Sequence, residues 1–266
     1  MFLKRLTSGI ILVILAFIAI YKGGYTLLSS LFLISVIGLH EFYKAVKVTG
    51  AMEKLGYFLA MGYYLLIALV GNDKYAFLAS VLSITLFMLL YVFSFPKYKT
   101  GEMMAAYFGL LYVPGMLSFL FFTRQLEAGL SIVWMIFISS WMSDTCAYCV
   151  GVLIGKHPMA PTLSPKKSIE GAIGGMIGSA LAGGIYGAWV TRHMGAQGEA
   201  VGMFALIGAI GSMMSQVGDL TASGIKREHK LKDYGNLIPG HGGILDRFDS
   251  VIVTAPIIYL LASFIP

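Results

Sequence analysis

"MFLKRLTSGIILVILAFIAIYKGGYTLLSSLFLISVIG", residues 1–38, decides how the chain is read. Lys4 and Arg5 followed by an apolar run have the form of a secretory signal. A cleaved signal ends at small residues and gives way to a mature domain. Here residues 22–38 are apolar again, so the first run is read as a retained membrane anchor and the second as the next span. The remainder repeats the pattern. Of 266 residues, 58% are hydrophobic and 12% charged, where a soluble domain carries about 25% charged residues. Several apolar runs reach the roughly 17 to 25 residues that a membrane helix needs. They are continuous and do not alternate, which argues against an outer-membrane barrel. The expected fold class is an all-α, polytopic integral membrane protein.

Nine apolar runs are expected as spans: 6–21, 24–43, 55–70, 75–95, 103–122, 129–154, 169–191, 200–222 and 248–265. Charge tests that count. With a cytoplasmic N-terminus and alternating spans, 15 of the 19 Lys and Arg fall inside and 4, namely Lys22, Lys74, Arg124 and Arg192, fall outside. The positive-inside rule asks for such a bias, and a missed span would scramble it downstream. The C-terminus is then outside, and the polar connections 155–168 and 223–247 face the cytoplasm, where nucleotides and Mg²⁺ are found. Residues 1–128 are expected to act as a scaffold with possible dimer contacts, and residues 129–266 as the catalytic region. The formal net charge of +6 would point to nucleic acid in a soluble chain. In a membrane chain the placement of Lys and Arg matters more than their sum, and no nucleic-acid partner is expected.

Ionisable residues within or at the ends of membrane helices are costly and therefore functional candidates. They are Asp144 in "SSWMSDTCAYCVG", Asp219 in "SQVGDLTASGIKRE", Asp246 and Asp249 in "LDRFDS", and, ranked lower, Glu41 in "GLHEFYK". Asp246 and Asp249 stand three apart, so a helix starting near Gly243 puts both on one face. Paired carboxylates suit a hard cation such as Mg²⁺, and Asp219 ends the preceding span on the same side. The competing reading makes Asp246 a helix-start acid favoured by the dipole and Asp249 a partner of Arg247. Asp144 is either a support for the site or a buried acid bonded to nearby Ser and Thr.

Lys166 and Lys167 in "LSPKKSIEG" suit phosphate, as do Ser168 and Glu170 at the start of the next span, whose N-terminal amides favour anions. The plainer reading is a basic loop, with Glu170 an ordinary first-turn acid. Lys226, Arg227, Lys230 and Lys232 form a basic run suited to anionic headgroups or to a polyphosphate. His241 lies in "PGHGG", whose glycines let backbone approach a ligand. Cys146 and Cys149 form a lone C-x-x-C without matching ligands elsewhere, read as two small residues on one helix face.

The stretch "SGIKREHKLKDYGNLIPGHGGILDRFDS", residues 223–250, resembles the signature of the phosphatidate cytidylyltransferases, or CDP-diacylglycerol synthases. Ser223, Lys226, Arg227, Lys232, Asp233, Pro239, Gly240, His241, Gly242, Gly243, Asp246, Arg247 and Asp249 all stand where that signature has them. "DTCAYCVGVLIGKH" and "LSPKKSIEGAIGG" are similar to upstream elements of the same family. The resemblance implies a reaction in which CTP and phosphatidate give CDP-diacylglycerol and pyrophosphate, with Mg²⁺ as cofactor and room for a second cation. It further implies Asp219, Asp246 and Asp249 on metal, with Asp144 assisting. Lys166, Lys167, Ser168, Glu170, Ser223, Lys226, Arg227 and Lys232 would serve the phosphates. Arg247 and His241 would contact phosphate or order the loop. A bacterial inner-membrane location, a homodimer and contact with membrane lipids follow from the same resemblance. Two rivals stand beside it: a CTP-using polyprenol kinase, and a cation-coupled transporter using the intramembrane acids. The transporter leaves the Pro-Gly-His-Gly-Gly run without a purpose.

Overall fold

The computed structural model describes residues 2–194, 200–238, 240 and 242–264. Within these residues ten α-helices follow one another: α1 (Phe2–Lys22), α2 (Gly24–Val46), α3 (Ala51–Val70), α4 (Ala76–Phe93), α5 (Thr100–Leu110), α6 (Phe119–Gln125), α7 (Gly129–Ile154), α8 (Ile169–Met194), α9 (Ala200–Glu228) and α10 (Leu245–Ser263). Two short strands, β1 (Pro158–Ala160) and β2 (Ser164–Ser168), pair antiparallel between α7 and α8. Among the described residues, seven stretches are long and apolar enough to cross a membrane: α2, α3, α4, the continuous Thr100–Gln125, α7, α8 through His193, and α9 from Val201. Large apolar side chains stand exposed along them, as Phe77, Leu78, Leu82, Met88 and Phe93 do on α4. Water would not tolerate such a surface, and lipid requires it. The chain is an all-α polytopic membrane protein. The two terminal runs form α1 and α10, which are not among the seven: the apolar part of α1 is the shorter Gly9–Lys22, and α10 opens on charged residues.

Three local departures from the sequence reading have physical causes. The run expected at 103–122 is α5 and α6 joined through a π-helical turn, Leu111–Gly115. Pro114 lies inside that turn; it has no N–H for the helical ladder, and a wide turn accommodates the lost bond. The connection 155–168 is not wholly loop, because residues 158–168 close into the β1–β2 hairpin. Helix α9 does not stop near residue 222 but runs on to Glu228, 29 residues in all, or roughly 44 Å at the helical rise. Ser223, Lys226 and Arg227 are therefore helical. With Asp219 they recur at intervals of three and four, the spacing of one helix face.

The chain divides into two compact units, Met1–Gln125 with Glu228–Phe248, and Leu126–Arg227 with Asp249–Pro266. In the first, α2 lies against α3 and α5. Phe42, Tyr43, Leu39 and Met52 are almost fully buried there. A side chain at Gly56 or Gly109 would run into the Tyr43 and Phe42 rings. The Tyr43 hydroxyl donates to the Ala106 carbonyl at 2.7 Å, and the Ser35 and Tyr64 hydroxyls share a hydrogen bond of 2.7 Å. Arg124 Nε donates to the Ile20 carbonyl at 3.1 Å, meeting an acceptor at the end of α1.

In the second unit α7 and α8 pack backbone to backbone. A Cβ on Gly171 would lie 2.7 Å from the Ala147 carbonyl, and one on Gly175 would lie 2.8 Å from that of Ser143. Small residues four apart are how membrane helices reach such proximity, because packing rather than water release holds them together. Gly178 makes space for Cys146 in the same way, which agrees with reading Cys146 as a packing residue. Polar side chains bridge the helices: buried Ser212 Oγ donates to Ser143 Oγ at 2.9 Å, buried Ser179 Oγ to the Ser139 carbonyl at 3.1 Å, and half-buried Gln216 Nε2 to the Ala172 carbonyl at 3.1 Å. Gly175→Val should destabilise the protein by about 1–3 kcal/mol, the usual range for overpacking. Gly62→Ala, where a Cβ meets nothing within 4 Å, should stay within about 1 kcal/mol. Thermal melts in detergent check the pair, and the opposite ranking would contradict this packing.

Candidate functional site

The hairpin and the helices flanking it gather one set of predicted residues within the second unit. Successive residues of a strand point to opposite faces. In β2, Lys166 is exposed while Lys167 is half-buried and forms an ion pair with Asp219 of α9. Each member keeps about a quarter of its side-chain surface, 27% and 28%. The pair is thus partly exposed, and an incoming ligand can reach both side chains. The turn of the hairpin approaches the same helix, with Leu163 near Gly224.

Ser168 and Glu170 have roles in the fold. Ser168 is the N-cap of α8, its Oγ accepting the Gly171 amide at 3.1 Å, and the Ile169 amide donates to the His157 carbonyl at 2.9 Å. Glu170 Oε2 accepts the Lys156 and His157 amides at 3.1 and 3.3 Å, and Oε1 meets His157 Nδ1. The helix start that the sequence offered to phosphate is thus already met, at the Ile169 and Gly171 amides, by groups of the chain. Ser168→Ala should cost about 1 kcal/mol of stability, as loss of an N-cap does. An unchanged melting midpoint would contradict the cap.

The loop ahead of α10 and the first turn of that helix lie in the first unit. Asp246 is buried, and its Oδ2 accepts two amides, Tyr234 at 2.8 Å and Gly243 at 3.0 Å. The Ile238 amide closes the turn onto the Gly242 carbonyl at 2.9 Å. Gly242 has φ 84°, and a Cβ there would come within 2.9 Å of Asp246 Oδ2 and 3.4 Å of Asp233. Only glycine meets both demands. Glu41 of α2 reaches the same place: Oε1 accepts the Ile244 amide at 3.1 Å and Oε2 the Leu245 amide at 2.8 Å. His241 and Pro239 lie outside the described residues. Lys232 and Arg247 are exposed, Lys232 in the loop and Arg247 on the first turn of α10.

The remaining predicted residues belong to the second unit. Asp249 Oδ1 accepts the Ser250 amide at 2.8 Å. Asp144 is exposed on α7, in the helix that also carries Ser140 and Ser143. Ser223 and Lys226 are half-buried on α9 and Arg227 is exposed. Among the described residues, no three or more His, Cys, Asp or Glu gather as a metal-holding cluster. Mg²⁺ takes one or two carboxylates and fills its octahedron with water and substrate phosphates, so Asp219, Asp246 and Asp249 are donors of the right kind.

Sequence reading ranked Glu41 low and passed over Gln216. An acid near the end of an apolar run, and an amide two residues before an intramembrane Gly-Asp, were the available signals. Neither announces its partner: Glu41 bonds to amides more than 200 residues away in sequence, and Gln216 to the backbone of a neighbouring helix.

Comparison with known proteins gives a match of full length. A family model described as the cytidylyltransferase family covers residues 3–265. The chain is 34% identical to a phosphatidate cytidylyltransferase of Staphylococcus epidermidis, over 97% of its own length and 98% of the relative's. It is 32% identical to proteins of the same name from Staphylococcus saprophyticus and Staphylococcus aureus, over 97% of both chains in each case.

Proposed function

The chain belongs to the cytidylyltransferase family, a nucleotidyltransferase of the membrane, and on that premise we propose that its substrates are CTP and phosphatidate. The observation that carries this reading is the block 223–250, which holds every residue of the phosphatidate cytidylyltransferase signature, in a chain matching enzymes of that name along nearly its whole length. The products are CDP-diacylglycerol and pyrophosphate.

The chemistry suits the residues. A phosphate oxygen of phosphatidate attacks the α-phosphorus of CTP, a new P–O–P linkage forms, and the bond to the β-phosphate breaks as pyrophosphate leaves. The attacking oxygen is already ionised near neutral pH, so neither a covalent nucleophile nor a strong base is needed. What the protein must supply is alignment and compensation of charge between two anions. Lys166, Lys167, Lys226, Arg227 and Lys232 supply positive charge toward phosphates, and Arg247 and His241 stand ready to do the same or to order the loop. Ser223, on the face of α9 shared with Asp219 and Lys226, offers a hydroxyl. Asp219, Asp246 and Asp249 would hold Mg²⁺, with room for a second cation, and Asp144 would assist. Bound there, Mg²⁺ offsets the charge on the phosphates and on departing pyrophosphate. Lys167 orients Asp219 through their ion pair, and can turn from carboxylate to phosphate as the nucleotide arrives.

We place the site on the cytoplasmic face of a bacterial inner membrane. The 15-to-4 distribution of Lys and Arg across nine spans supports that placement, with the N-terminus inside and the C-terminus outside. Residues 129–266 are taken as the catalytic region, residues 1–128 as its scaffold, and the working form as a homodimer among membrane lipids. Purified protein in mixed micelles should convert CTP and phosphatidate to CDP-diacylglycerol and pyrophosphate, and EDTA should stop the conversion. Absence of the lipid product under these conditions would refute the substrate assignment.

A further inference from the structure

We propose that Glu41 is a positioning residue for the transferase reaction, holding the first turn of α10, and so Asp246, from a helix at the other end of the chain. The inference rests on the phosphatidate cytidylyltransferase reading. An α-helix leaves its first amides without partners, and a local Ser, Thr, Asp or Asn usually caps them. The residues before α10 are Gly242, Gly243 and Ile244, none of which carries a side-chain acceptor. Glu41 does that work from α2, taking the Ile244 amide on one oxygen at 3.1 Å and the Leu245 amide on the other at 2.8 Å. The next residue is Asp246.

The fit is close on all sides. Glu41 is 6% exposed. A Cβ on Gly243 or Gly235 would collide with its carboxylate oxygens, so the loop wraps the acid with bare backbone. Asp246 completes the clasp with the Tyr234 and Gly243 amides. Two buried carboxylates thus accept four amides from residues 234–245. Glycines at 235, 240, 242 and 243 give this segment little stiffness of its own. Its shape is imposed by the acids, and one of them belongs to the signature while the other comes from a distant helix. Both carboxylates meet the amide end of α10.

A displacement of reacting groups by about 1 Å can cost 100-fold in rate. Glu41→Gln keeps the side-chain shape but turns one acceptor into a donor facing an amide. It should lower kcat about 10- to 100-fold while leaving the phosphatidate KM little changed. Hydrogen exchange at the Ile244 and Leu245 amides should accelerate, and exchange across α7–α9 should not. Glu53→Gln is the control: Glu53 accepts the Tyr57 hydroxyl at 2.9 Å on α3 and lies 4.0 Å from His40 Nδ1, and turnover should be unchanged. Wild-type kcat in Glu41→Gln would overturn the proposal. So would accelerated exchange throughout the protein, which would make Glu41 a support of the whole fold. Wild-type protein that forms no CDP-diacylglycerol would remove the substrate assignment first and the positioning role with it, and the exchange at Ile244 and Leu245 would still report whether the clasp exists.

Discussion

Asp246→Asn should reduce turnover by at least about 100-fold, the range seen when a preorganised charged or donor group is removed from a reacting centre. The protein should stay folded. Asp246 Oδ2 accepts the Tyr234 and Gly243 amides, and an asparagine oxygen can accept both, so the clasp survives the exchange. What disappears is a negative charge in a nearly dry position, 7% exposed. A melting midpoint close to wild type combined with near-complete loss of CDP-diacylglycerol formation would separate the chemical role from the structural one. Near-normal turnover would remove Asp246 from the metal, leaving it a loop clasp. Asp246→Ala makes a useful contrast, because it abandons two buried amides and should also destabilise, by roughly 1–3 kcal/mol.

The ion pair of Lys167 and Asp219 yields a second large effect and a sharper logic. Both side chains keep about a quarter of their surface, and on the proposed cytoplasmic face water screens them, so their mutual attraction is worth no more than about 1 kcal/mol. Lys167→Met and Asp219→Asn should each cost up to that amount. The double variant should recover part of it, as coupled neighbours do. Activity should behave otherwise. If Lys167 serves phosphate and Asp219 serves metal, each single change lowers kcat/KM for CTP by about 100-fold or more, and the double variant is no better than the worse single. Recovery of activity alongside stability in the double variant would show that the pair is only a brace between hairpin and helix.

The apolar runs made the membrane class and most helix positions legible, because a span must be continuous and about 20 residues long whatever surrounds it. Interruptions were harder to see. Pro114 sits inside a run that composition shows as unbroken, and its consequence, a π-helical turn, depends on the backbone around it. The strands of three and five residues carry no usable period, so "HPMAPTLSPKKS" read as loop. The last turn of α9 was hidden for the opposite reason: charged residues that suggest a loop after an apolar run simply continue the helix into water.

The site divides along the same line. Asp246, Lys167 and Asp219 stand out because an acid beside a span or a base pair of lysines is conspicuous in a greasy chain. That Lys167 contacts Asp219, 52 residues on, and that Glu41 contacts Ile244 and Leu245, over 200 residues on, are tertiary facts with no local signature. Ser168 and Glu170 teach the reverse lesson. Their residue types suit phosphate as well as they suit a helix start, and the helix-start bonds are the ones the fold displays.

The most direct test follows one phosphorus atom. Purified protein, phosphatidate and Mg²⁺ would be supplied with CTP labelled either at the α- or at the γ-phosphorus. Cytidylyl transfer predicts that the α-label enters the lipid, in equal amount to the pyrophosphate released, and that the γ-label stays in water. A γ-label in the lipid with release of CDP would identify a kinase and contradict the account, as would a lipid that carries neither label.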